Sequence, residues 1–366
     1  MLDVIETRRQ LHKIPEIGFD LPETVQYVKN ALSGLSCKVF EPCQSAVCAF
    51  FDMGGQDAIA FRADMDALQV SEKTGASFSS AHEGKMHACG HDGHVAMLLA
   101  LAHEIDAMGE KPLHNILLVF QPAEESGGGA QFVCESGVFE EYAVKCIFAI
   151  HLWPFLPLGG VFSRPGAMMA CACEVDITME GRSAHVAKAS EGADALEALA
   201  KTLLGCYEME KNEIASEVPR LLKFGLLNAG TVRNAIAANG ILQGTLRAFD
   251  DDTFGFLKRR VQEIAQNAAD ETGCTLSANF TSGYPALIND EKLFARVLEV
   301  LGEENVGILD EPSITAEDFS FYGQKIPSVF LFVGTGLNIA LHADNYNINE
   351  NALFSGLDVL KKLLEV

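Results

Sequence analysis

The feature that most constrains the fold is the order of hydrophobic segments, which changes near Ala170 and changes back near Tyr284. Between these points the pattern predicts a strand at 172–180, a helix at 191–211, strands at 221–230 and 239–248, a helix at 252–270 and a strand at 274–282. This strand–helix–strand–strand–helix–strand order is typical of ferredoxin-like α+β domains. Because such a unit is self-contained, we expect an inserted domain at 171–283.

The sequence on both sides of this insertion alternates strands with helices, which predicts an α/β fold built on one sheet. The predicted helices are 2–13, 22–34, 93–108, 127–136, 290–300 and 350–364, and the predicted strands are 45–52, 57–63, 115–120, 145–151 and 328–333. A chain of 366 residues exceeds the usual size of one hydrophobic core, which also favours two domains. We therefore expect a mixed, helix-flanked sheet formed by residues 1–170 and 284–366.

Composition excludes several classes of partner. The formal net charge of −23 at pH 7 argues against binding to nucleic acid or to anionic membranes. No apolar run is long enough to cross a bilayer, and the first residues do not resemble a signal peptide. The ten cysteines lack the regular spacing of a disulfide scaffold, so we interpret them as reduced thiols. Together these features predict a cytoplasmic globular protein.

The stretch from Met86 to His94 reads MHACGHDGH and carries one thiol, three imidazoles and a carboxylate. Thiolate, imidazole and carboxylate are the groups that hold borderline-soft divalent metals. A glycine at position 90 lets the backbone bring Cys89 and His91 to one point. The alternative is a buried cysteine beside a surface histidine. The further polar groups at the head of an apolar helix favour the metal site.

Further candidate ligands follow predicted strands. Glu124 and Glu125 come after the apolar run that ends at Phe120, His151 ends another run, and His342 lies in a later loop. Because adjacent carboxylates at a strand end point in different directions, one can bind metal while the other acts as general base. The alternatives are an acidic helix start for the glutamates, and structural or exposed roles for the histidines.

Other polar residues are candidates for supporting roles. Asp64 and Asp66 end a strand, where they could orient ligands or simply form a turn. In the insertion, His185 could donate to a developing oxyanion, while Asn234 and Arg247 could hold a substrate carboxylate. The alternative for these last three residues is a purely structural role.

A series of segments, in order along the chain, resembles the two-metal amidohydrolases of the aminoacylase and carboxypeptidase G group. The branch it resembles most contains hippurate hydrolases, indole-acetyl-amino-acid hydrolases and N-acetyldiaminopimelate deacetylases. The matching segments are RRQLHKIPE at 8–16, RADMDAL at 62–68, HACGHDGH at 87–94, FQPAEE at 120–125, HLWP at 151–154, GRSAH at 181–185, TAEDF at 315–319 and LH at 341–342. The resemblance covers nearly the whole chain.

The resemblance implies a two-metal hydrolytic centre. The implied metal ligands are Cys89, His91, Glu125, His151 and His342. Zn or Mn is the expected metal, and Ni or Co also suits this mixed ligand set. The resemblance further implies Glu124 as general base, Asp64 as an aspartate near the metals, and His185 as a residue that completes the site, often across a dimer. It places Asn234 and Arg247 on the substrate carboxylate.

The insertion at 171–283 is similar to the lid of that family, which is also its usual dimerisation surface, so a homodimer through the lid is implied. His87 and His94 have no place in the implied ligand set. The chain departs from the common pattern at Gln69, in the segment 234–238 and at 343–344, where the branch commonly has proline. These departures touch pocket loops, so they bear on the substrate more than on the chemistry.

Three functions follow from these observations. The first is hydrolysis of the amide bond of an N-acyl amino acid or short peptide, giving a carboxylate and a free amino acid, through a metal-bound water and Glu124. The second is the specific N-acetyldiaminopimelate deacetylase of lysine biosynthesis. The third is a non-catalytic relative that binds metal or ligand. The intact pair of Glu124 and Glu125 argues against the third, because binding alone needs no base.

Overall fold

The chain forms two units in a computed structural model that describes residues 2–109, 112–281 and 283–366. Unit 1 comprises Met1–Met168, Ile288–Glu311 and Asp318–Val366, and unit 2 comprises Met169–Leu287 and Pro312–Glu317. Unit 2 therefore interrupts unit 1 twice along the sequence. In the described part of the chain, no helix is long and apolar enough to span a membrane.

The helices and strands alternate through most of the chain. The helices are α1 (Val4–His12), α2 (Pro22–Leu32), α3 (His91–Asp106), α4 (Gly129–Glu135), α5 (Val138–Glu141), α6 (Ala195–Asn212), α7 (Asp251–Thr272), α8 (Glu291–Leu301), α9 (Ser320–Gly323) and α10 (Asn351–Leu363). The strands are β1 (Lys38–Phe40), β2 (Val47–Phe51), β3 (Ala58–Asp64), β4 (Asn115–Gln121), β5 (Val144–Trp153), β6 (Val161–Ser163), β7 (Gly166–Met169), β8 (Cys171–Glu180), β9 (Arg220–Ala229), β10 (Asn239–Ala248), β11 (Thr275–Phe280), β12 (Leu287–Asn289), β13 (Val306–Ile308) and β14 (Ser328–Gly334). Short 3₁₀ helices lie at Val186–Glu191 and Glu303–Asn305.

Unit 1 is built on an eight-stranded mixed sheet with the order β1-β2-β4-β3-β5-β14-β6-β13. Strands β4, β3, β5 and β14 pair in parallel, whereas β1, β2 and β6 make antiparallel pairs. Every residue of β3, β4 and β14 is buried, as expected for central parallel strands covered on both faces. The carboxyl ends of β3, β4 and β5 consequently meet at one edge of the sheet. This mixed sheet confirms the predicted fold class.

Unit 2 carries a four-stranded antiparallel sheet with the order β11-β8-β10-β9. Alternate residues of β8 are buried, and its buried side chains form one hydrophobic cluster with those of α6 and α7. The element order β8-α6-β9-β10-α7-β11 is the ferredoxin-like arrangement expected from the sequence. Pro312–Glu317 also belongs to this unit, although no hydrophobic pattern marks that segment.

Two elements differ locally from the prediction, and the first of these differences bears on the site. Helix α3 begins at His91 rather than at residue 93, because Gly90 takes a left-handed φ of +88° and ends the preceding turn. His91 therefore lies in the first turn of α3. The predicted strand 274–282 ends at Phe280, and Ser282 lies outside the described residues.

Candidate metal centre

The first part of the site forms where the chain enters α3. A Cβ at Gly90 would lie 3.1 Å from Tyr346 Oη, so the residue between Cys89 and His91 must be small as well as left-handed. The tight turn lets both flanking side chains reach the same buried region. His91 Nδ1 lies 2.9 Å from the carbonyl oxygen of Asp66 and donates to it, which leaves Nε2 as a metal-binding lone pair.

The most direct indication of a metal is a pair of buried polar atoms that make no hydrogen bond within the described part of the chain. His91 Nε2 and Glu125 Oε1 lie 3.9 Å apart and are buried. Neither atom makes a hydrogen bond to a described residue, although His342 Nε2 lies 3.2 Å from Glu125 Oε1. A buried ring nitrogen and a buried carboxylate oxygen that make no hydrogen bond cost free energy unless something binds both. A divalent cation satisfies both atoms at once, so the residues present fit a metal.

Two further histidines approach from β5 and from the loop before α10. His151 Nδ1 donates to the carbonyl oxygen of Leu152 at 2.8 Å, which points its Nε2 towards Cys89 Sγ at 3.5 Å. His342 Nε2 lies 3.2 Å from Glu125 Oε1. His342 has a left-handed φ of +66°, and its backbone N–H donates to the carbonyl of Ala88 at 2.8 Å. This strained backbone is held where its side chain meets Glu125.

These contacts give overlapping groups of possible ligands. Among the described residues, five groups of three have possible ligand atoms within 4.8 Å of one another. Three of them are Cys89 with His91 and His151, Cys89 with Glu125 and His342, and His91 with Glu124 and Glu125. The other two are Asp64 with His91 and His94, and Glu124 with Glu317 and Asp318. All five residues that the resemblance implies as ligands lie in these groups. Thiolate, imidazole and carboxylate together suit Zn and related transition metals.

The electrostatic balance of the site also calls for a cation. Burial, followed by the charges of Glu125 and Glu124, raises the pKa of the Cys89 thiol well above its usual value. Burial lowers the pKa of His91, but the surrounding carboxylates, Asp64 first, outweigh it and raise that pKa to about 10. The protein alone therefore favours a protonated thiol and a protonated imidazole, whereas a bound metal favours the thiolate and the neutral ring.

The turn after β4 presents the two glutamates. Asp66 accepts hydrogen bonds from the backbone N–H groups of Glu124, at 2.9 Å, and Glu125, at 3.1 Å. Ala123 has a left-handed φ of +56°, and a Cβ at Gly129 would lie 1.8 Å from the carbonyl oxygen of Pro122. The backbone around the pair is therefore fixed from both sides.

Several supporting residues were not singled out as site residues from the sequence. Asp64 pairs with Arg62 at 2.6 Å, and Arg62 reaches Asp318 at 2.8 Å. Gln121 bridges the same pair, accepting from Arg62 Nε at 2.8 Å and donating to Asp318 at 2.8 Å. Asp318 lies in the matching segment TAEDF, which was the only signal in the sequence for it.

A second buried network joins α1 to α3. Asp92 accepts from Arg8 Nε at 2.7 Å and pairs with His12 Nδ1 at 2.7 Å. Arg8 is fully buried, and its charge helps to hold the pKa of Asp92 well below the usual range despite burial of that carboxyl. The matching segment 8–16 therefore has a structural reason, because it anchors the first turn of the helix that carries His91.

The three predicted residues of unit 2 do not all lie together. His185 Nδ1 accepts the backbone N–H of Ala187 at 3.1 Å, and the neighbouring Val186 N–H donates to the carbonyl of Asn234 at 3.2 Å. Arg247 instead lies near the far end of β10, which starts at Asn239. At roughly 3.3 Å per residue, the strand places Arg247 about 26 Å from Asn239. Unit 2 thus brings His185 close to Asn234 but keeps Arg247 apart from both.

Comparisons with known proteins agree with this arrangement. The family model for peptidase family M20/M25/M40 matches residues 60–366. An uncharacterized hydrolase of Staphylococcus aureus strain USA300 is 33% identical over 372 residues, covering 99% of this chain and 97% of that protein. A solved structure from methicillin-resistant Staphylococcus aureus has a TM-score of 0.92 at 27% identity and covers 99% of this chain and 95% of its own. The Bacillus subtilis YXEP protein, described as a dinuclear metal binding peptidase from the M20 family, has a TM-score of 0.85 at 27% identity, with 99% and 96% covered. The chain therefore belongs to peptidase family M20/M25/M40 and is a hydrolase of the metallo-amidohydrolase class.

Proposed function

We propose that this protein hydrolyses the amide bond of N-acyl amino acids, with Glu124 as the general base. The observation that carries the proposal is the group of His91, Glu124 and Glu125, in which one buried carboxylate lies among metal ligands beside a second. Two adjacent carboxylates in such a site support a division of work, in which Glu125 binds metal and Glu124 moves a proton. Metal binding alone gives no reason for the second carboxylate.

The proposed centre holds two divalent ions, and the description of the Bacillus subtilis YXEP protein as a dinuclear metal binding peptidase supports the number two. The proposed ligands are Cys89, His91, Glu125, His151 and His342. Zn or Mn is the proposed metal, and the thiolate favours Zn over Mn on ligand softness, with Ni and Co as the other candidates. When bound, these ions supply polarisation of the amide carbonyl and acidification of the attacking water.

The proton transfer in the proposed reaction is made by a side chain of the protein, Glu124. In the proposed reaction Glu124 accepts a proton from the attacking water and then delivers it to the nitrogen of the leaving amine. The hydrogen bonds from Glu124 and Glu125 to Asp66 fix the backbone that positions both carboxylates. Asp64 supports the same site from β3, through contacts with neighbouring histidines.

Unit 2 would supply contacts to the substrate. His185 Nδ1 already accepts a backbone N–H, so Nε2 carries the ring hydrogen and can donate to the oxyanion that forms during attack. Asn234 and Arg247 are the proposed partners of the substrate carboxylate. Because β10 separates them, one copy of unit 2 cannot place both on the same substrate molecule. This separation supports a homodimer in which the two copies contribute different residues.

The sheet of unit 2 has a surface suited to that homodimer. Strand β9 is at the edge of the sheet, with Leu226 and Leu227 45% and 39% exposed. Leu196 and Leu204 are also exposed, on α6. An apolar edge strand has backbone N–H and C=O groups free to pair along one side, so it tends to associate with another chain unless something covers it. A second copy of this chain would cover it by pairing along the same edge.

A substrate panel tests the proposed function. We expect the metal-loaded enzyme to release free amine from N-acetyl and N-benzoyl amino acids, to lose this activity with a chelator and to regain it with divalent metal. N-acetyldiaminopimelate belongs in the panel, because exclusive activity on it would identify the specific deacetylase instead. A metal-loaded protein that releases amine from no member of the panel would contradict the proposal.

A further inference from the structure

His94 is a prominent residue of the segment 86–94 that the proposed ligand set does not use. We propose that His94 is a positioning residue that locks the end of β5 to α3, and thereby sets the distance between His151 and His91. This inference rests on the metal centre of the proposed function, and it concerns how the protein holds that centre in place. His94 itself is buried, at 2% exposure.

The hydrogen bonds of His94 fix its ring and exclude it as a ligand. The backbone N–H of Leu152 donates to His94 Nε2 at 2.9 Å, so Nε2 is an acceptor and the ring hydrogen lies on Nδ1. That Nδ1–H donates to Asp64 Oδ1 at 2.6 Å. His94 lies in one group of possible ligands with Asp64 and His91, but both of its ring nitrogens are occupied by protein groups, so neither has a lone pair left for a metal.

Leu152 passes this constraint to His151. The carbonyl of Leu152 accepts the Nδ1–H of His151 at 2.8 Å, and this contact turns the Nε2 of His151 towards Cys89. The rings of His94 and His151 also meet edge to face, with centroids 4.7 Å apart. One residue of β5 is thus bonded to His94 through its N–H and to His151 through its carbonyl.

The packing around Leu152 shows that the approach of β5 to α3 is close. A Cβ at Gly93 would lie 2.6 Å from Leu152 Cδ1, so a larger residue there would displace the Leu152 side chain. His94 is the next residue on the same helix turn and supplies the polar contact at that approach. The helix bearing His91 and the strand end bearing His151 are therefore joined by a packed contact and a hydrogen bond.

Asp64, which accepts the hydrogen bond from His94, is itself held by a buried ion pair. Asp64 is held by Arg62, which is held in turn by Asp318, and the side chains of all three are 1% exposed or less. Because a buried ion pair with several hydrogen bonds has little freedom to move, the acceptor oxygen for His94 is fixed in space. The linkage runs from Asp318 through Arg62, Asp64 and His94 to the end of β5.

Two substitutions separate the bonds of His94. His94→Asn keeps a donor at the position of Nδ1 for Asp64 but is too short to accept from the N–H of Leu152. His94→Gln places an acceptor at the position of Nε2. We expect His94→Asn to weaken metal binding by about 10- to 100-fold, the usual cost of losing a group that orients a ligand, and His94→Gln to bind more tightly than His94→Asn. His87→Asn is the matched control, since it removes a buried imidazole with no hydrogen-bond partner among the described residues.

The readouts are metal affinity, by competition with a chelator, and the visible spectrum of the cobalt-loaded protein, which reports ligand geometry. A changed cobalt spectrum in His94→Asn, with His87→Asn like wild type, supports the positioning role. Unchanged affinity and spectrum in His94→Asn would overturn it, as would equal losses in the control. If neither His94 variant folds, His94 serves the core and the inference is wrong. A wild-type protein that binds no metal would instead defeat the proposed function.

Discussion

At the scale of single residues, Glu124 and Glu125 are adjacent in sequence but have different surroundings. Glu125 faces His91 and His342. Glu124 shares one group of possible ligands with His91 and Glu125 and another with Glu317 and Asp318. Both backbone N–H groups are tied to Asp66, so the two side chains cannot exchange positions without breaking that contact. The fixed backbone therefore keeps Glu124 in the proposed position of the base and Glu125 in that of the ligand.

Glu124→Gln tests the proposed base. We expect kcat to fall by about 10²- to 10⁴-fold, the usual contribution of a general base, while metal content stays at the wild-type level. Glu125→Gln is the comparison and should lose metal as well as activity. Elemental analysis and steady-state kinetics of both variants measure this. Near-normal turnover in Glu124→Gln would remove it from the role of base.

Cys89→Ala tests the thiolate ligand. Because Cys89 belongs to two of the five groups of possible ligands, its removal should lower metal occupancy at both proposed sites. Cys134→Ala is the control, since Cys134 is buried to a similar extent, at 6% exposure against 7%, and belongs to none of these groups. Elemental analysis after dialysis measures the metal occupancy of both variants. Full occupancy in Cys89→Ala would contradict the ligand assignment.

At this scale the sequence predicts residue types well and their partners poorly. Four of the five proposed ligands are recognisable because they follow a predicted strand or lie in a dense polar segment, whereas His342 lies in a loop. The ion pair between Arg62 and Asp318 joins residues 256 positions apart, and no local spacing shows it. His94 resembles a ligand in the sequence, and only the donor N–H from Leu152 reveals that its ring is already occupied.

At the scale of elements, the start of α3 depends on a single backbone conformation. Gly90→Ala should cost about 1–2 kcal/mol for the left-handed φ, and more because the new methyl group would meet Tyr346 Oη. Gly137→Ala is the matched control, because Gly137 also precedes a helix with a positive φ but has nothing within 4 Å of the added Cβ.

The measurement is urea unfolding of the metal-free proteins, together with metal affinity. Gly90→Ala should lose more stability than Gly137→Ala and should also bind metal more weakly, because the turn separates Cys89 from His91. Equal losses of stability with wild-type metal affinity in both variants would show that the turn has no role in the site.

At this scale, the length of a strand decides whether the hydrophobic pattern predicts it. Strands β3, β4, β5 and β14 are long, apolar runs, which is why their positions follow from the pattern. Strands β1, β6 and β13 have three residues each, too few for a periodicity to be read, and they are paired only because longer strands lie beside them. The predicted start of α3 is two residues too late because the first turn is polar and no apolar spacing marks it.

At the scale of the whole molecule, the proposed homodimer is open to a direct test. The double variant Leu226→Lys and Leu227→Lys places charge on the edge strand β9, which should prevent pairing with a second copy. Light scattering should give twice the 39.5 kDa chain mass for wild type and the chain mass for the variant. Leu113→Lys, at an 81% exposed position of unit 1, is the control and should remain dimeric.

The proposed use of both copies makes a kinetic prediction as well. The monomeric variant should keep its metal, because all proposed ligands lie in unit 1, but lose turnover of N-acyl amino acids. A wild-type protein that is monomeric in solution, or a monomeric variant with full activity, would contradict the proposed contribution of the second copy.

Metal should also stabilise the fold. Its proposed ligands come from α3, β5, the turn after β4 and the loop before α10, so binding joins segments that are distant in sequence. At a free metal concentration about 100 times the dissociation constant, binding adds about 2.7 kcal/mol to the free energy of unfolding. Calorimetry with and without chelator measures this, and identical melting curves would contradict a metal centre built from these residues.

The division of unit 1 into three stretches of sequence has a consequence for how the protein is made. Cys89, His91, Glu125 and His151 all precede unit 2, whereas His342 belongs to the last stretch, Asp318–Val366. During translation the ribosome therefore releases four of the five proposed ligands long before the fifth. A nascent chain presents an incomplete set of ligands while unit 2 is being synthesised, and full metal loading must wait until synthesis is almost finished.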